Sequence, residues 1–388
     1  MNANPLSVNR ELVARAIDKV LQAVVRVFDD HFGGRWPYLK VAIATVLISL
    51  LSSFPAYQNM GAEALQPKNA VLNIKVRHPL APIPSELKDV RHFGGYGSHN
   101  DKLELRLTIP TLGWLTDTGR WTVVVWNHMA ALGVFYLLAV LAGKALDDRI
   151  GGGLFVLGLG PTFFGTWFFN DMYIGDGIAF FFLLLSIASG NFLLSACGFL
   201  AAAFCDERCL TAIPLLFLYL LVSLRNDSEK SVRIKRCLAI AAGAGAWLVL
   251  RIWIADAFHL STGTSLLASR EILRANLGSI FPGSLLGVFR ASWALPLFAL
   301  LSLLTSRKWA ASLAFAGAFA LAAAPAFLVA DFDRSLCYTF IVLLVSLPFI
   351  RDNRGASRKY LAAILLVNIL LISPGTSILR VGAWIFHG

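Results

Sequence analysis

Apolar residues run in long blocks along this chain from about Val41 onward, separated by short polar punctuation. Blocks at 38–54, 122–143, 152–169, 177–189, 191–205, 209–224, 237–255, 285–304, 309–330, 335–350 and 359–372 each suit a helix crossing a hydrocarbon layer. The pattern predicts an all-α polytopic membrane protein with about 11 transmembrane helices. Before the first block, Leu12, Val13, Ala16, Val20, Leu21, Val24, Val25 and Phe28 recur at helical spacing, with Arg10, Arg15, Lys19 and Arg26 between them. This is an amphipathic helix, either lying on the cytoplasmic leaflet or packed on the protein's own cytosolic ends. Three regions follow: a cytoplasmic amphipathic arm at 1–37, a transmembrane domain at 38–372 with a long extracytoplasmic loop at 55–120, and a tail at 373–388.

Lys and Arg in short loops mark the cytoplasmic side. The arm carries six (10, 15, 19, 26, 35 and 40), 144–149 two, 225–236 five, 307–308 two and 351–359 four. Eleven spans put all of these on one side, with the N-terminus cytoplasmic and the C-terminus extracytoplasmic. The 27 residues Ile178–Phe204 decide this, because they form one long helix or two short ones broken at Gly190-Asn191. One helix would export the five-cation loop, so two short helices are predicted.

Composition agrees. The chain is 57% hydrophobic and 15% charged, with a mean hydropathy of +0.67. A soluble core could not bury its 28 Phe and 10 Trp, whereas a helix bundle in lipid can. A net charge of +11 would suggest nucleic acid in a soluble chain. Here the cations sit in short loops and no basic face carries interleaved aromatics, so no nucleic-acid partner is expected. Cysteines 197, 205, 209, 237 and 337 lie in or beside apolar runs and read as small apolar residues, although Cys205 and Cys209 share a helix face. No cleavable leader is visible, so the first block should persist as an anchor in a membrane, expected to be a bacterial inner membrane.

With this threading, the acids gather on the extracytoplasmic side. Asn170-Asp171, Asp176, Asp206-Glu207-Arg208, Asp256 and Asp331-Phe332-Asp333-Arg334 all end apolar blocks. Charges at such a boundary are solvated, paired or used. Asp171 and Asp176, around Tyr173 and a Gly turn, could converge on one cation or one hydroxyl, or stand as two solvated loop acids. Glu207 and Arg208 read as a substrate-binding pair or an internally paired cluster. Asp331, Asp333 and Arg334 form a DxD followed by an arginine just inside a span, where arginine pairs with carboxylate or binds phosphate. Arg290 ends another block. In the long loop, His99 and Asp101 could act as base and orienting partner, or contact headgroups. The stretch from Ser98 to Pro110 is helix or strand, and a surface helix fits the apolar residues that follow. The histidines are too scattered for a zinc set, and the metal question stays open.

A cytoplasmic N-terminus, a long first outer loop, acids at the next outer loop, short paired spans and about eleven spans in all resemble the integral-membrane GT-C superfamily of glycosyltransferases. The likeness is architectural and covers most of the chain. It implies a sugar moved from a polyprenyl-phosphate donor on the extracytoplasmic face, with a lipid-linked sugar and membrane lipid as partners. It also implies Asp171 or Asp176 as the second-loop acid, and Arg208, Arg290 and Arg334 as phosphate binders. The acid such enzymes carry soon after the first span has only Glu63 as a counterpart here, with Asp101 as the alternative. No cofactor is certain, and a divalent cation is compatible with the scheme without being required. The alternative function is a transporter or flippase of a lipid-linked or anionic solute, or a surface-polysaccharide polymerase or ligase.

Overall fold

A computed structural model describes residues 5–54, 57, 74–75, 77–82, 104–170, 175–223, 230–260, 273–274, 277, 286–329 and 331–372. Among these residues every regular element is helical. The expected N-terminal helix is α1 (Pro5–Phe32), and α2 (Pro37–Ser52) follows at an angle of 115°. Pro37 presets the first turn of α2, and Trp36 adopts a left-handed conformation (φ 61°) to make the corner.

After the outer loop, α3 (Thr108–Thr116) leads into α4 (Thr122–Leu146). At 25 residues, α4 is long enough to cross a bilayer. The next block does not form the single span expected over 152–169. It breaks at Gly160-Pro161 into α5 (Arg149–Leu159) and α6 (Phe163–Asn170), bent by 67°, because proline offers no amide hydrogen and its ring crowds the preceding turn. A Cβ at Gly152 would lie 2.5 Å from the Gly143 nitrogen, so only glycine lets α5 approach α4 this closely.

The stretch 178–204 forms two short helices as predicted, α7 (Asp176–Ala188) and α8 (Phe192–Cys205). Asn191 caps the second by accepting from the Leu194 amide. A 3₁₀ turn at Glu207–Ala212 leads into α9 (Ile213–Ser223). Beyond it come α10 (Lys230–Ala257), α11 (Ala294–Thr305), α12 (Trp309–Ala323), α13 (Phe332–Cys337), α14 (Ile341–Ser346) and α15 (Arg354–Leu370).

A helix stands at each of the eleven expected positions, but fewer have the length of a full span. Among the described residues five do, including Phe332–Ile350, where α13 and α14 run on through 3₁₀ turns, and the number rises to seven if each bent pair counts once. Among the described residues the protein is all-helical, with five to seven apolar helices suited to a membrane. The core centres on Phe164, whose ring lies 5.1–5.8 Å from those of Phe180, Phe289 and Phe340. Outward, Leu221, Val249, Ile252, Leu286, Leu313 and Leu321 are 58–74% exposed, a surface that suits lipid and not water.

Ion pairs define one end of the bundle. Arg358 grips Asp148 through two bonds (2.7 and 2.8 Å), Arg354 meets Asp147 (2.5 Å), and Lys359 meets Asp18 on α1 (2.5 Å). These bonds join α1, the α4–α5 turn and the start of α15. The other short helices can be placed relative to that end. Position 177 at the start of α7 lies near Asn127 of α4, and further along Phe181 lies near Gly133, so the two helices run the same way. Gly190, in the α7–α8 turn, lies near Arg236 at the start of α10. The start of α10, with Arg236, and the α7–α8 turn therefore share the basic end. In a cysteine-free background, Gly190→Cys and Asp352→Cys are expected to react with an impermeant thiol reagent from one side of the membrane and Asp117→Cys from the other. Labelling of positions 190 and 117 from the same side would overturn the hairpin.

Candidate functional site

Opposite the basic end, charged side chains from separate segments converge. Asp176 opens α7 and has no exposed surface. Its carboxylate accepts from Trp167 Nε1 on α6 (3.0 Å), Arg334 Nε (2.8 Å) and the Tyr338 hydroxyl (3.0 Å), with Arg208 Nη2 at 3.5 Å. Arg334 and Tyr338 lie four residues apart on one helical face, so both reach the same carboxylate. Arg334 Nη1 also donates to Asp331 (2.8 Å), and Arg208 Nη1 to the Ser335 hydroxyl (3.3 Å). Each guanidinium faces a ring: Arg334 over Trp167 at 5.7 Å and Arg208 over Tyr338 at 5.6 Å.

Asp206 ends α8 and starts the 3₁₀ turn, accepting from the Arg208 amide and from its Nε (both 2.9 Å) and Nη2 (2.6 Å). Arg106 Nη2 stands 3.4 Å from Asp206 and 3.3 Å from Glu207. Arg106 is held from the outer loop. Fully buried Lys75 donates to the carbonyls of Ala81 and Glu104 (both 3.0 Å), Leu105 packs with Ala255 and Leu260, and the Thr108 hydroxyl donates to Ala201 O (2.7 Å). Burial draws the Lys75 ammonium down to about 8, against the pull of Glu104.

Burial alone would raise the Asp206 carboxyl, but the Arg106 and Arg208 guanidiniums outweigh it and hold the group well below the usual carboxylate range. Glu207 is lowered in the same way, burial being overcome chiefly by Arg106. These neighbours in turn raise Arg106 and Arg208. Three buried polar atoms in this region have no partner: Arg106 Nε, Glu207 Oε2 and Asp333 Oδ1.

Of the residues singled out in the sequence, Asp176, Glu207, Arg208, Asp331 and Arg334 come together. Asp333 shares the short helix α13 with Arg334. Arg290 does not join them; its Nη1 donates to Asn368 O at the end of α15 (3.0 Å). Asp256 is exposed near the end of α10. Asp171, Tyr173, Asp101 and His99 lie outside the described residues. Among the described residues no group of three or more His, Cys, Asp or Glu is arranged to hold a metal ion.

The sequence reading had missed Arg106, Trp167 and Tyr338. Tyr338 could have been found by its i+4 spacing from Arg334, and Arg106 as a lone cation among alternating apolar residues. A second polar pair also went unnoticed. The His128 ring lies between Val124 O (2.7 Å) and the Tyr57 hydroxyl (3.1 Å), with Phe169 against it.

Removing one partner from a buried ion pair leaves the other uncompensated, so Asp206→Asn should destabilise the protein by about 3–5 kcal/mol. The folded Asp206 carboxyl lies below its unfolded value. Its stabilisation is therefore complete above the ordinary carboxylate range and is lost as pH falls through the folded value. Thermal unfolding in detergent should show a steeper acid loss below about pH 4 in the wild type than in Asp206→Asn, and equal slopes would contradict the assignment. Set against known proteins, the chain matches no family model, no curated protein and no solved structure.

Proposed function

We propose that this chain is a membrane glycosyltransferase that moves a sugar from a polyprenyl-phosphate donor to an acceptor on the extracytoplasmic face of a bacterial inner membrane. The observation that carries the reading is that two ion-paired residues of the charged cluster, Arg106 and Glu207, each keep a buried polar atom without a partner. Arg106 Nε is a cationic donor, and Glu207 Oε2, on its ion-pair partner, is an anionic acceptor. A ligand that satisfies both must offer an acceptor oxygen and a hydroxyl, as a sugar phosphate does.

The charge balance fits transfer from a phosphodiester. Asp176, Asp206, Glu207 and Asp331 stand against Arg106, Arg208 and Arg334, with Arg251 in the electrostatic field of Glu207. The acceptor oxygen attacks the anomeric carbon, the bond to the phosphate oxygen breaks, and the acceptor's proton passes to a carboxylate. That carboxylate loses a negative charge as the departing polyprenyl phosphate gains one, so charge moves within the cluster without accumulating. Attack from the face opposite the leaving group inverts the anomeric centre.

Asp176 is enclosed by four donors and acts here as a positioning residue that aims Arg334 and Arg208. The base is a carboxylate at the rim. Glu207, with a third of its side chain exposed, is assigned to that role; Asp171, Asp101 and His99, outside the described residues, are the further candidates that the sequence offers. The arginines stabilise the phosphate as it leaves.

Membranes containing the protein should consume a polyprenyl-phosphate-linked radiolabelled sugar. Either Glu207→Gln or Asp171→Asn should lower turnover by about 10²–10⁴-fold at unchanged protein level. Arg106→Lys should raise KM for the donor more than it lowers kcat. Full activity in all three variants, or no donor consumed by the wild type, would overturn the reading.

A further inference from the structure

The basic end carries a feature that the transferase reading does not use. Because α1 leaves α2 at 115°, a membrane-crossing α2 lays α1 across the surface of the leaflet. One face of α1 is docked. Phe28 lies against Gly153 and Val41 and stacks on Phe32 (4.6 Å), and Asp18 binds Lys359. The opposite face leaves Leu12, Val13, Ile17, Val20 and Val27 exposed at 54–59%, with Trp36 exposed at the corner. An exposed apolar stripe flanked by Lys19 and Arg26 is the pattern of a helix seated at the headgroup boundary.

Under the corner lies a cavity of about 550 Å³. Its floor includes the apolar Phe28, Phe32 and Val41, with Tyr38 alongside. Its rim holds the Arg354–Asp147 and Arg358–Asp148 pairs, each already neutral. What remains is Lys144 and Arg149, both exposed, against the single acid Asp29. An apolar floor with a net-positive rim, opening beside a surface helix, complements an anionic amphiphile.

We propose that the α1–α2 corner is a binding site for an anionic phospholipid of the basic-end leaflet. The phosphate sits between Lys144 and Arg149, and an acyl chain enters the cavity against Phe28, Phe32 and Val41, beside the surface-seated α1. This site is separate from the acidic-end cluster and does not rest on the transferase reading. The charge complementarity matches the anionic cytoplasmic leaflet that the cation-rich loops would face.

The test uses the full-length protein in neutral detergent, with thermal unfolding followed while phosphatidylglycerol, phosphatidylcholine or inorganic phosphate is added. Phosphatidylglycerol alone should raise the unfolding temperature. With Lys144→Gln and Arg149→Gln combined, about 30-fold more phosphatidylglycerol should be needed for the same stabilisation, since each surface cation near anionic lipid contributes on the order of fivefold in affinity. Arg307→Gln with Lys308→Gln, in the α11–α12 turn, should leave the response unchanged. An equal effect of phosphatidylcholine would mean that the cations do not select the lipid, and an equal effect of inorganic phosphate would mean a soluble-anion site. An unaltered response in the Lys144/Arg149 double variant would place the lipid elsewhere. Any of these three results would overturn the proposal.

Discussion

A carboxylate with no exposed surface is tolerable only where donors replace the water it has lost. Asp176 meets that demand with Trp167, Tyr338, Arg334 and Arg208, contributed by α6, the α13 helix and the turn after α8. Each donor is then fixed by a further contact: Arg334 by Asp331 and the Trp167 ring, Arg208 by Asp206, Ser335 and the Tyr338 ring. Asp206 extends the chain of contacts to Arg106 and so to the outer loop. The acidic end is thus one connected unit. The short helices α7 and α8 derive much of their position from it, because each has a cluster acid at its terminus.

Much of this was legible in the sequence, for identifiable reasons. Apolar blocks located the helices because a membrane imposes the same length and polarity demand on every span. The positive-inside count chose the α7–α8 hairpin because Ile178–Phe204 is uniformly apolar and local propensity cannot divide it. Glu207, Arg208, Asp331 and Arg334 were visible because charges stand out at the ends of apolar runs. Tyr338 and Trp167 were not, since a hydroxyl or an indole among 28 Phe and many Leu looks like ordinary filling until its hydrogen bond is seen. The kink at Gly160-Pro161 was also readable from proline chemistry, but the length of the block suggested a continuous span. Arg290 stands apart from the cluster for the opposite reason. It ends a block as Arg208 does, yet Asn368, a distant residue, determines its partner.

The two ends of the bundle handle charge differently. At the basic end, pairs such as Arg354–Asp147 are largely exposed and contribute little each, serving to register α15 against the α4–α5 turn. At the acidic end Asp176, Asp206 and Arg334 are buried, so removing any of these leaves its partners uncompensated, whereas Asp331 and Glu207 reach the surface. This asymmetry explains why polar atoms without partners are informative at the acidic end. Arg106 Nε and Glu207 Oε2 have no protein partner, and a bound ligand would supply one.

The most direct measurement is an experimental structure of the full-length protein in lipid nanodiscs with a polyprenyl phosphate added. The account predicts phosphate density within hydrogen-bond distance of Arg106, beside Glu207, with the Asp176 donors unmoved. Phosphate bound away from these residues, or a cluster that closes Arg106 and Glu207 onto protein groups in the lipid-bound state, would contradict it.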